Sequence, residues 1–388
     1  MSDWKNIFVH SIGQIEEQFD DLTFKLRKRL NYFHPVQIVP YRSYGTQNRL
    51  YIKGRVLENK GIAQAQDKDT ILNNLLNMYK RFESDEVMNA RLKITFQGQV
   101  HEIVSDREGY FVLNIQPSTP LPLDNVWHPI EIKLIDAPVP FTEDIQATTE
   151  VLVPPPDAEY GIISDIDDTI IYSNAYSTLG MSRIVFLNNA RTRLPFAGVS
   201  EFYKSLQLGR NGKRNNPFFY VSSSPWNMYD LLKDFMDLNQ IPAGPLLLRD
   251  FGLMQNKLIG SSHMGHKFKE IQNILLTYPE LNFVLIGDSG QEDANIYREV
   301  VKQFPSRILA IYIRDVQLPE REKIALAVSE DMKNQEVPML VVDNTVEAAE
   351  HAAKIGLIFQ EAIPAIETDK EQDKGLEPGK EPVELVGG

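Results

Sequence analysis

The sequence predicts two domains, an N-terminal β-sandwich of antiparallel strands and a C-terminal α/β domain with a doubly wound parallel sheet. Short, partly alternating β-rich runs fill the first part of the chain, whereas buried apolar runs alternate with helical segments in the second. The first pattern is typical of half-buried antiparallel strands, and the second of parallel strands covered by helices on both faces. A length of 388 residues also suits two domains.

Composition and charge exclude several classes of protein. The net charge of −13 argues against general nucleic-acid binding. The chain has no cysteine, which excludes disulfides, thiolate zinc sites and a cysteine nucleophile. We see neither a signal-peptide pattern nor an apolar stretch long enough to span a bilayer. We therefore expect a cytoplasmic protein whose membrane contact, if it has any, is peripheral.

Residues 1–34 are predicted to contain an amphipathic helix. Its apolar side chains recur at steps of three or four, at Ile15, Phe19, Leu22, Leu26 and Leu30. Basic residues lie near its C-terminal end, where they suit the negative pole of the helix, and acidic residues precede them. A helix that docks on the protein is favoured, and a helix on a membrane surface is the alternative.

Residues 35–153 are predicted to form the β-sandwich. The candidate strands lie in YRSYGTQNRLYIKGRVL, RLKITFQGQVHEIVSD, GYFVLNIQP and HPIEIKLID, separated by turn-type residues. A helical insertion from Lys68 to about Ser84 interrupts them. Residues 154–159 contain three consecutive prolines and are predicted to form a stiff linker, because proline cannot continue a β-ladder.

Residues 160–362 are predicted to form the α/β domain. The candidate strands are Tyr160–Ser164, Pro217–Ser222, Asn282–Gly287, Ile308–Ile313 and Pro338–Val342. The candidate helices between them include Trp226–Leu238, Lys267–Leu276 and Asp293–Phe304. Ligands of such sheets bind beyond the carboxyl ends of the strands, so those ends hold the candidate functional residues. Residues 363–388 are predicted to be a disordered acidic tail.

The first strand of this domain ends in ISDIDDT, with acidic residues directly after apolar ones. Asp165 and Asp167 are two residues apart, so an extended backbone directs both side chains the same way. Paired carboxylates suit a hard cation such as Mg²⁺. They also suit a division of labour between a nucleophile and a proton-transfer group.

The other strand ends carry complementary chemistry. Three serines end the second strand, where hydroxyls and backbone N–H groups suit phosphate, and Ser222 and Ser223 are the candidates among them, although serine is also a common helix cap. Asp288 and Asp293 follow the third strand and either complete a metal site or serve as turn and cap residues. Lys267, at a helix start, is the lysine best placed to neutralise a carboxylate and a phosphoryl group.

The order of these motifs resembles the haloacid dehalogenase superfamily of phosphotransferases, which have a Rossmann-like sheet. The resemblance implies that Asp165 is a nucleophile that forms an aspartyl-phosphate, that Asp167 is the acid/base, and that Lys267 holds the phosphate. It assigns Thr169, Ser222 and Ser223 to the substrate, and Asp165, Asp167 through its backbone carbonyl, Asp288 and Asp293 to Mg²⁺. Asp168 has no role in this pattern beyond a cap or a turn.

A narrower resemblance covers most of the chain. The runs IVPYRSYGT, KGRVL, SDIDDTI, LPFAGVSEFYKSL, FFYVSSSPWNMYDLL, IGDSGQEDANIY and AIYIRDV are similar to the fungal actin-patch-associated phosphatidate phosphatases and their bacterial relatives. This resemblance implies Mg²⁺-dependent conversion of phosphatidate to diacylglycerol, with a phospholipid phosphate as the substrate.

Three functional hypotheses follow from these residues. The favoured one is a phosphatase that acts on a lipid phosphate; the second is the same chemistry on a soluble phosphoester or a phosphoprotein. The third is an inactive fold that binds partners through the β-domain, whose partners the sequence does not identify. The segment Tyr172–Asn216 is either a lid over the site or an ordinary helix with a basic loop.

Overall fold

The computed structural model describes residues 35–59, 86–122, 124–141, 144–171, 195–249 and 263–374. The predicted helix in residues 1–34, the predicted insertion at 68–84 and the first part of the lid candidate, 172–194, lie outside the described residues. Within the described ranges, no helix is both long and apolar enough to cross a bilayer.

The C-terminal half contains a sheet of six strands that are all parallel, in the order β11-β10-β9-β12-β13-β14. These strands are β9 Gly161–Ser164, β10 Phe218–Pro225, β11 Leu246–Arg249, β12 Phe283–Asp288, β13 Ile308–Arg314 and β14 Met339–Val342. All five predicted strands are present, and β11 is an additional edge strand. The α/β class is therefore confirmed for this half of the chain.

Helices cover both faces of this sheet. They are α1 Val199–Leu208, α2 Tyr229–Leu238, α3 His263–Thr277, α4 Asp293–Gln303, α5 Pro319–Lys333, α6 Thr345–Lys354 and α7 Ile363–Lys374. Alternation along β10 sends Phe218 and Tyr220 to one apolar cluster, with α1, α2, α6 and α7. Phe219 and Val221 belong to a second cluster, with α3, α4 and α5. The acidic strand ends are thus fixed by apolar packing on either side of the sheet.

The N-terminal half forms one hydrogen-bonded sheet of eight strands in the order β1-β3-β2-β8-β7-β4-β5, with β6 paired to β3. The strands are β1 Val36–Pro40, β2 Ser43–Thr46, β3 Arg49–Glu58, β4 Arg91–Phe96, β5 Gln99–Val104, β6 Tyr110–Ile115, β7 Trp127–Asp136 and β8 Gln146–Leu152. The pairing is antiparallel, as predicted, except between β2 and β8, which run parallel. Division of this sheet into a sandwich stays a prediction.

The predicted disordered tail is wrong for residues 363–374, which form helix α7. Ile363 and Ile366 are buried in the first apolar cluster. The carboxylate of Asp373 accepts a hydrogen bond from the backbone N–H of Gly198 at 2.9 Å, and that of Asp369 accepts from Glu201 N–H at 3.1 Å. These bonds satisfy free N–H groups at the start of α1. The polar composition of this segment gave no indication that two of its isoleucines are buried or that two of its carboxylates cap α1.

The described end of the lid candidate is a packed helix and a bound loop. Val199, Phe202 and Leu206 of α1 are buried in the first apolar cluster. The carboxylate of Glu159 accepts hydrogen bonds from the backbone N–H groups of Arg210 at 2.6 Å and Asn211 at 2.9 Å. Residues 195–216 therefore match the ordinary alternative rather than a lid.

The two halves of the chain are in direct contact near the end of β10. The Tyr41 ring stacks on the Trp226 ring with centroids 4.3 Å apart. The backbone N–H of Arg42 donates to the Tyr229 hydroxyl at 2.7 Å, and the Tyr278 hydroxyl donates to the Gly45 carbonyl at 3.0 Å. The Tyr44 ring of β2 also contacts the Phe219 ring of β10 at a centroid distance of 5.7 Å, so the N-terminal sheet packs against the strand that carries the three serines.

Candidate active site

A tight turn follows β9 and presents its carboxylates together. The Ile166 carbonyl accepts hydrogen bonds from the N–H groups of Ile170 at 2.9 Å and Ile171 at 3.1 Å. Asp168 occupies the left-handed region with φ 58°, a conformation that aspartate tolerates better than most residues. Asp165, Asp167 and Asp168 are all buried. The backbone of this turn thus favours aspartate at position 168.

Lys267 reaches the turn from the first part of α3. Its ammonium lies 2.9 Å from Asp165 Oδ1 and 2.6 Å from Asp293 Oδ1, and all three side chains are buried. Burial alone would lower the pKa of Lys267, but the carboxylates of Asp165, Asp293 and Asp288 outweigh that effect and raise it. The lysine therefore carries its charge inside the domain and bridges the turn after β9 and the start of α4.

Asp288 and Asp293 are joined through the turn after β12. The Asp293 side chain accepts a hydrogen bond from the Asp288 backbone N–H at 3.2 Å, while its other oxygen binds Lys267. Gly287 allows this approach, because a Cβ at that position would lie 2.5 Å from Asp293 Oδ2. Asp293 thus anchors both the lysine and the loop that holds Asp288.

The site buries more acidic side chains than basic ones. Oxygens of Asp165, Asp288 and Asp293 lie within 4.8 Å of one another. Burial raises the pKa of Asp165, opposed by Lys267 and reinforced by Asp293 and Asp167. Burial also raises the pKa of Asp288, reinforced by Asp293 and Asp165. A cluster of three carboxyl groups bridged by a single lysine supplies the oxygen ligands that a hard divalent cation prefers.

The side chain of Gln291 lies among the oxygens of this cluster. Its Nε2 is 3.3 Å from Asp288 Oδ2, 3.5 Å from Asp165 Oδ2 and 3.5 Å from the Asp167 carbonyl oxygen. The Gln291 backbone N–H also donates to Asp288 Oδ1 at 2.9 Å. Sequence reasoning missed Gln291, since a glutamine in a polar turn has no pattern that indicates a site.

Two serines hold the second carboxylate of the turn. The hydroxyls of Ser222 and Ser224 donate to the same oxygen, Asp167 Oδ2, at 2.8 and 2.7 Å. The Ser224 N–H donates to the Ser222 hydroxyl at 2.9 Å, so Ser222 is itself fixed. The sequence-based assignment included Ser222 and Ser223 but left out Ser224, although alternation along β10 places Ser224 on the same side as Ser222.

Thr169 and Ser223 have no comparable contact. Their hydroxyl oxygens are buried without a hydrogen-bond partner in the part of the chain that the structure describes. Ser223 alternates with Ser222 and so belongs to the other side of β10. The Thr169 carbonyl accepts a hydrogen bond from Arg314 Nε at 3.3 Å. A substrate-binding role for either hydroxyl stays a prediction.

The structure thus brings most of the predicted site residues together. Contacts link Asp165 to Lys267 and Asp293, Asp293 to Asp288, and Asp167 to Ser222. The two additions from the structure are Ser224 and Gln291. The arrangement joins a lysine-bound carboxylate, a serine-bound carboxylate and an oxygen-rich cluster at the carboxyl ends of neighbouring strands.

Comparison with known proteins places this site within a recognised domain. Residues 160–315 match the family model described as "Phosphatidate phosphatase APP1, catalytic domain". The chain is 35% identical over 194 residues to phosphatidate phosphatase APP1 of Saccharomyces cerevisiae, covering 48% of this chain and 32% of that protein. It is 31% identical over 160 residues to an uncharacterized protein of Schizosaccharomyces pombe, covering 40% of this chain and 25% of that protein. The chain spans about a third or less of the length of these curated relatives.

A solved carbohydrate acetylesterase from Xanthomonas citri matches at a TM-score of 0.24 and 10% identity, over 76% of this chain and 75% of that one. This similarity is too low to support an argument about fold or function. The family match lies instead in the segment that carries Asp165, Asp167, Lys267 and Asp288. Residues 160–315 are thus similar to the APP1 catalytic domain, and the resemblance inferred from the sequence motifs is confirmed.

Proposed function

We propose that this protein is a Mg²⁺-dependent phosphatase that hydrolyses phosphatidate to diacylglycerol through an aspartyl-phosphate. The observation that carries the proposal is the buried contact between Lys267 and Asp165, with Asp167 two residues away. A carboxylate nucleophile needs a nearby cation, and a proton-transfer group needs to lie beside it. The family match over the same residues supports phosphatidate as the substrate.

Asp165 supplies the nucleophile. We assign the attack on phosphorus to Oδ1, the oxygen that Lys267 contacts at 2.9 Å, because the ammonium opposes the protonation that burial favours. The bond between phosphorus and the alkoxy oxygen breaks as the bond to Asp165 forms. Lys267 also offsets negative charge on the phosphoryl group during this transfer.

Asp167 moves the protons. Ser222 and Ser224 fix its Oδ2, so we assign proton transfer to Oδ1. In the first step protonated Asp167 gives its proton to the departing alkoxide, which leaves as diacylglycerol. In the second step the Asp167 carboxylate takes a proton from water, whose oxygen attacks phosphorus and releases phosphate from Asp165.

The residues present fit the proposed Mg²⁺ ion. We assign Asp165 Oδ2, the Asp167 carbonyl and Asp288 as its ligands, since these oxygens converge on one point occupied by the Gln291 amide. Asp293 holds these ligands in place without being one of them. One of its oxygens contacts the Lys267 ammonium, and the other accepts a hydrogen bond from the Asp288 backbone N–H. When bound, the ion would supply positive charge that offsets the phosphoryl oxygens.

A soluble phosphoester or a phosphoprotein is the second candidate substrate, because the residues of this site specify phosphoryl transfer rather than the leaving group. The complete set of contacts around Asp165 and Asp167 argues against an inactive interaction module. We further propose a cytoplasmic location with peripheral contact to the membrane that carries the lipid.

The experiment is an assay of phosphate release from short-chain phosphatidate and from a panel of soluble phosphoesters, with Mg²⁺ and with EDTA. Asp165→Asn and Asp167→Asn should abolish turnover. Asp343→Asn is the control, because Asp343 is an exposed aspartate outside the site and this variant should retain most activity. Full activity of Asp165→Asn would refute the assignment of Asp165 as the nucleophile. Full activity in EDTA would refute the dependence on Mg²⁺. A preference for a sugar phosphate over phosphatidate would refute the lipid substrate.

A further inference from the structure

The Gln291 amide occupies the point where three oxygens converge. Those oxygens belong to Asp165, Asp167 and Asp288, and each lies 3.3 to 3.5 Å from Nε2. Two are carboxylate oxygens and the third is a backbone carbonyl. These are also the oxygens that the proposed function assigns to the cation, so the amide and the cation compete for one place.

The amide is a poor substitute for a cation at this point. An NH₂ group has two hydrogens, which is fewer than the three oxygens that surround it. Its contacts lie at the long end of the hydrogen-bond range, so each one is weak. A hard divalent cation binds such oxygens more closely and carries the opposite charge. The contacts of the amide are therefore weaker than those that a cation would make with the same oxygens.

The backbone of Gln291 keeps the side chain near the cluster. Its N–H donates to Asp288 Oδ1 at 2.9 Å, while its side chain donates to Oδ2 of the same carboxylate. Gln291 itself is only half-buried, in the turn between β12 and α4. The side chain thus has room to leave toward solvent while the backbone bond to Asp288 remains.

This inference rests on the proposed metal site. We propose that the Gln291 amide competes with the cation for the same three oxygens and contacts them when no cation is bound. The amide holds Asp165 and Asp288 together in the metal-free protein and leaves when the cation binds. The fraction of molecules with the amide displaced then sets the apparent affinity for the cation. Removal of the amide raises that affinity and lowers the stability of the metal-free protein.

Direct binding measurements test this inference without reference to turnover. Mn²⁺ affinity by electron paramagnetic resonance and Mg²⁺ affinity by calorimetry are compared for wild type, Gln291→Ala and Gln291→Met. Methionine keeps the length of the side chain but lacks the N–H donors. We expect both variants to bind either cation about fivefold more tightly than wild type. This factor corresponds to the net free energy of one hydrogen bond, which the cation no longer has to displace.

Thermal melting supplies a second readout. In EDTA both variants should melt at a lower temperature than wild type, and at saturating Mg²⁺ this difference should disappear, since the amide no longer contacts the cluster. Glu292→Gln is the neighbouring control. The Glu292 carboxylate binds Arg321 and Asn295 rather than the cluster, so this variant should keep wild-type cation affinity.

The outcomes separate this inference from the proposed function. Unchanged or weaker cation affinity in both Gln291 variants, with normal binding by wild type, would overturn the competitor role and leave the metal site standing. Absence of cation binding by wild type and by both variants would overturn the metal site and the inference together.

Discussion

The ammonium of Lys267 lies 2.9 Å from the carboxylate of Asp165, and neither residue is more than 2% exposed. Loss of one member would leave the other charge buried without compensation, which typically costs about 3–5 kcal/mol. We expect Lys267→Met to lose turnover and to unfold at a lower urea concentration, with a free energy of unfolding reduced by an amount of this order.

Lys269→Met is the matched control, because Lys269 is exposed on the same helix two residues away. It should change neither turnover nor the urea midpoint appreciably. A Lys267→Met protein with wild-type turnover would contradict the assigned role of the lysine.

Strand β10, called here the serine strand, contains Ser222, Ser223 and Ser224 in succession, and these three residues can be compared by substitution. Ser222→Ala and Ser224→Ala each remove a hydrogen bond to Asp167, and a bond to a charged group contributes about 1.5–3 kcal/mol. We expect either variant to lower kcat by about 10- to 100-fold and to shift the pH profile, since the carboxylate that transfers protons has lost a donor.

Ser223→Ala serves as the comparison, because the Ser223 hydroxyl has no partner among the described residues. If its predicted role toward the substrate is correct, this variant should change KM and leave the pH profile in place. A pH profile shifted equally in all three variants would contradict the specific contact of Ser222 and Ser224 with Asp167.

The acidic cluster makes the stability of the metal-free protein depend on pH. Burial raises the pKa of Asp165 from its ordinary value of 3.8 to about 8 and raises that of Asp288 in the same direction. In this window the folded protein holds protons that the unfolded chain releases, so stability falls as the pH rises from about 4 to about 8. Urea unfolding in EDTA across this range measures the slope.

Asp165→Asn should reduce this slope, because asparagine does not titrate and only the contribution of Asp288 remains. Asp343→Asn changes an exposed carboxyl and should leave the slope unaltered. Added Mg²⁺ should raise stability most at high pH, where the carboxylates are ionised and best able to bind it. Stability in EDTA that increases across this window, with no response to Asp165→Asn, would contradict the assignment.

Helix α7 contributes to stability although its composition is polar. Ile366 is fully buried in the apolar cluster that also contains residues of α1 and α6. Ile366→Ala should lower the free energy of unfolding by about 2–5 kcal/mol, the usual cost of removing a large buried aliphatic side chain. Glu367→Ala, at an exposed neighbouring position, should have little effect, and equal effects of the two would indicate that α7 is not packed as described.

The position of most site residues could be predicted because it follows from strand ends. The carboxyl ends of parallel strands meet at one edge of a sheet, so Asp165 and Asp288 were expected at the same edge, and the pairing of β9 with β12 brings them close together. Ser224 could have been found by the same reasoning, since side chains two apart along a strand share a side. Gln291 could not, because its position depends on the exact turn after β12.

Other parts of the fold depend on contacts that local sequence does not encode. β11, the four-residue run Leu246–Arg249, is too short to be distinguished from a loop by periodicity. The parallel pairing of β2 with β8 joins segments about a hundred residues apart, and α7 is stabilised by distant partners on α1. In each case tertiary packing outweighs the local pattern.

The ring of Tyr41 connects the β-sheet of the N-terminal half to the serine strand. It stacks on Trp226, two residues after Ser224, and lies 4.5 Å from the Tyr229 ring. Removal of a buried aromatic ring costs about 3–5 kcal/mol, so Tyr41→Ala should lower the urea midpoint markedly. It should also lower kcat, because the backbone that positions Ser222 and Ser224 loses support.

Two further variants test whether loss of the Tyr41 ring itself causes the lower stability and kcat expected for Tyr41→Ala. Tyr41→Phe keeps the stacked ring and should retain most of the stability and turnover. Asp237→Asn removes the partly exposed ion pair with Arg42 in the same interface and should cost less than about 1 kcal/mol. If Asp237→Asn is as damaging as Tyr41→Ala, the interface depends on charge rather than on packing, and the ring does not act as the support for the serine strand.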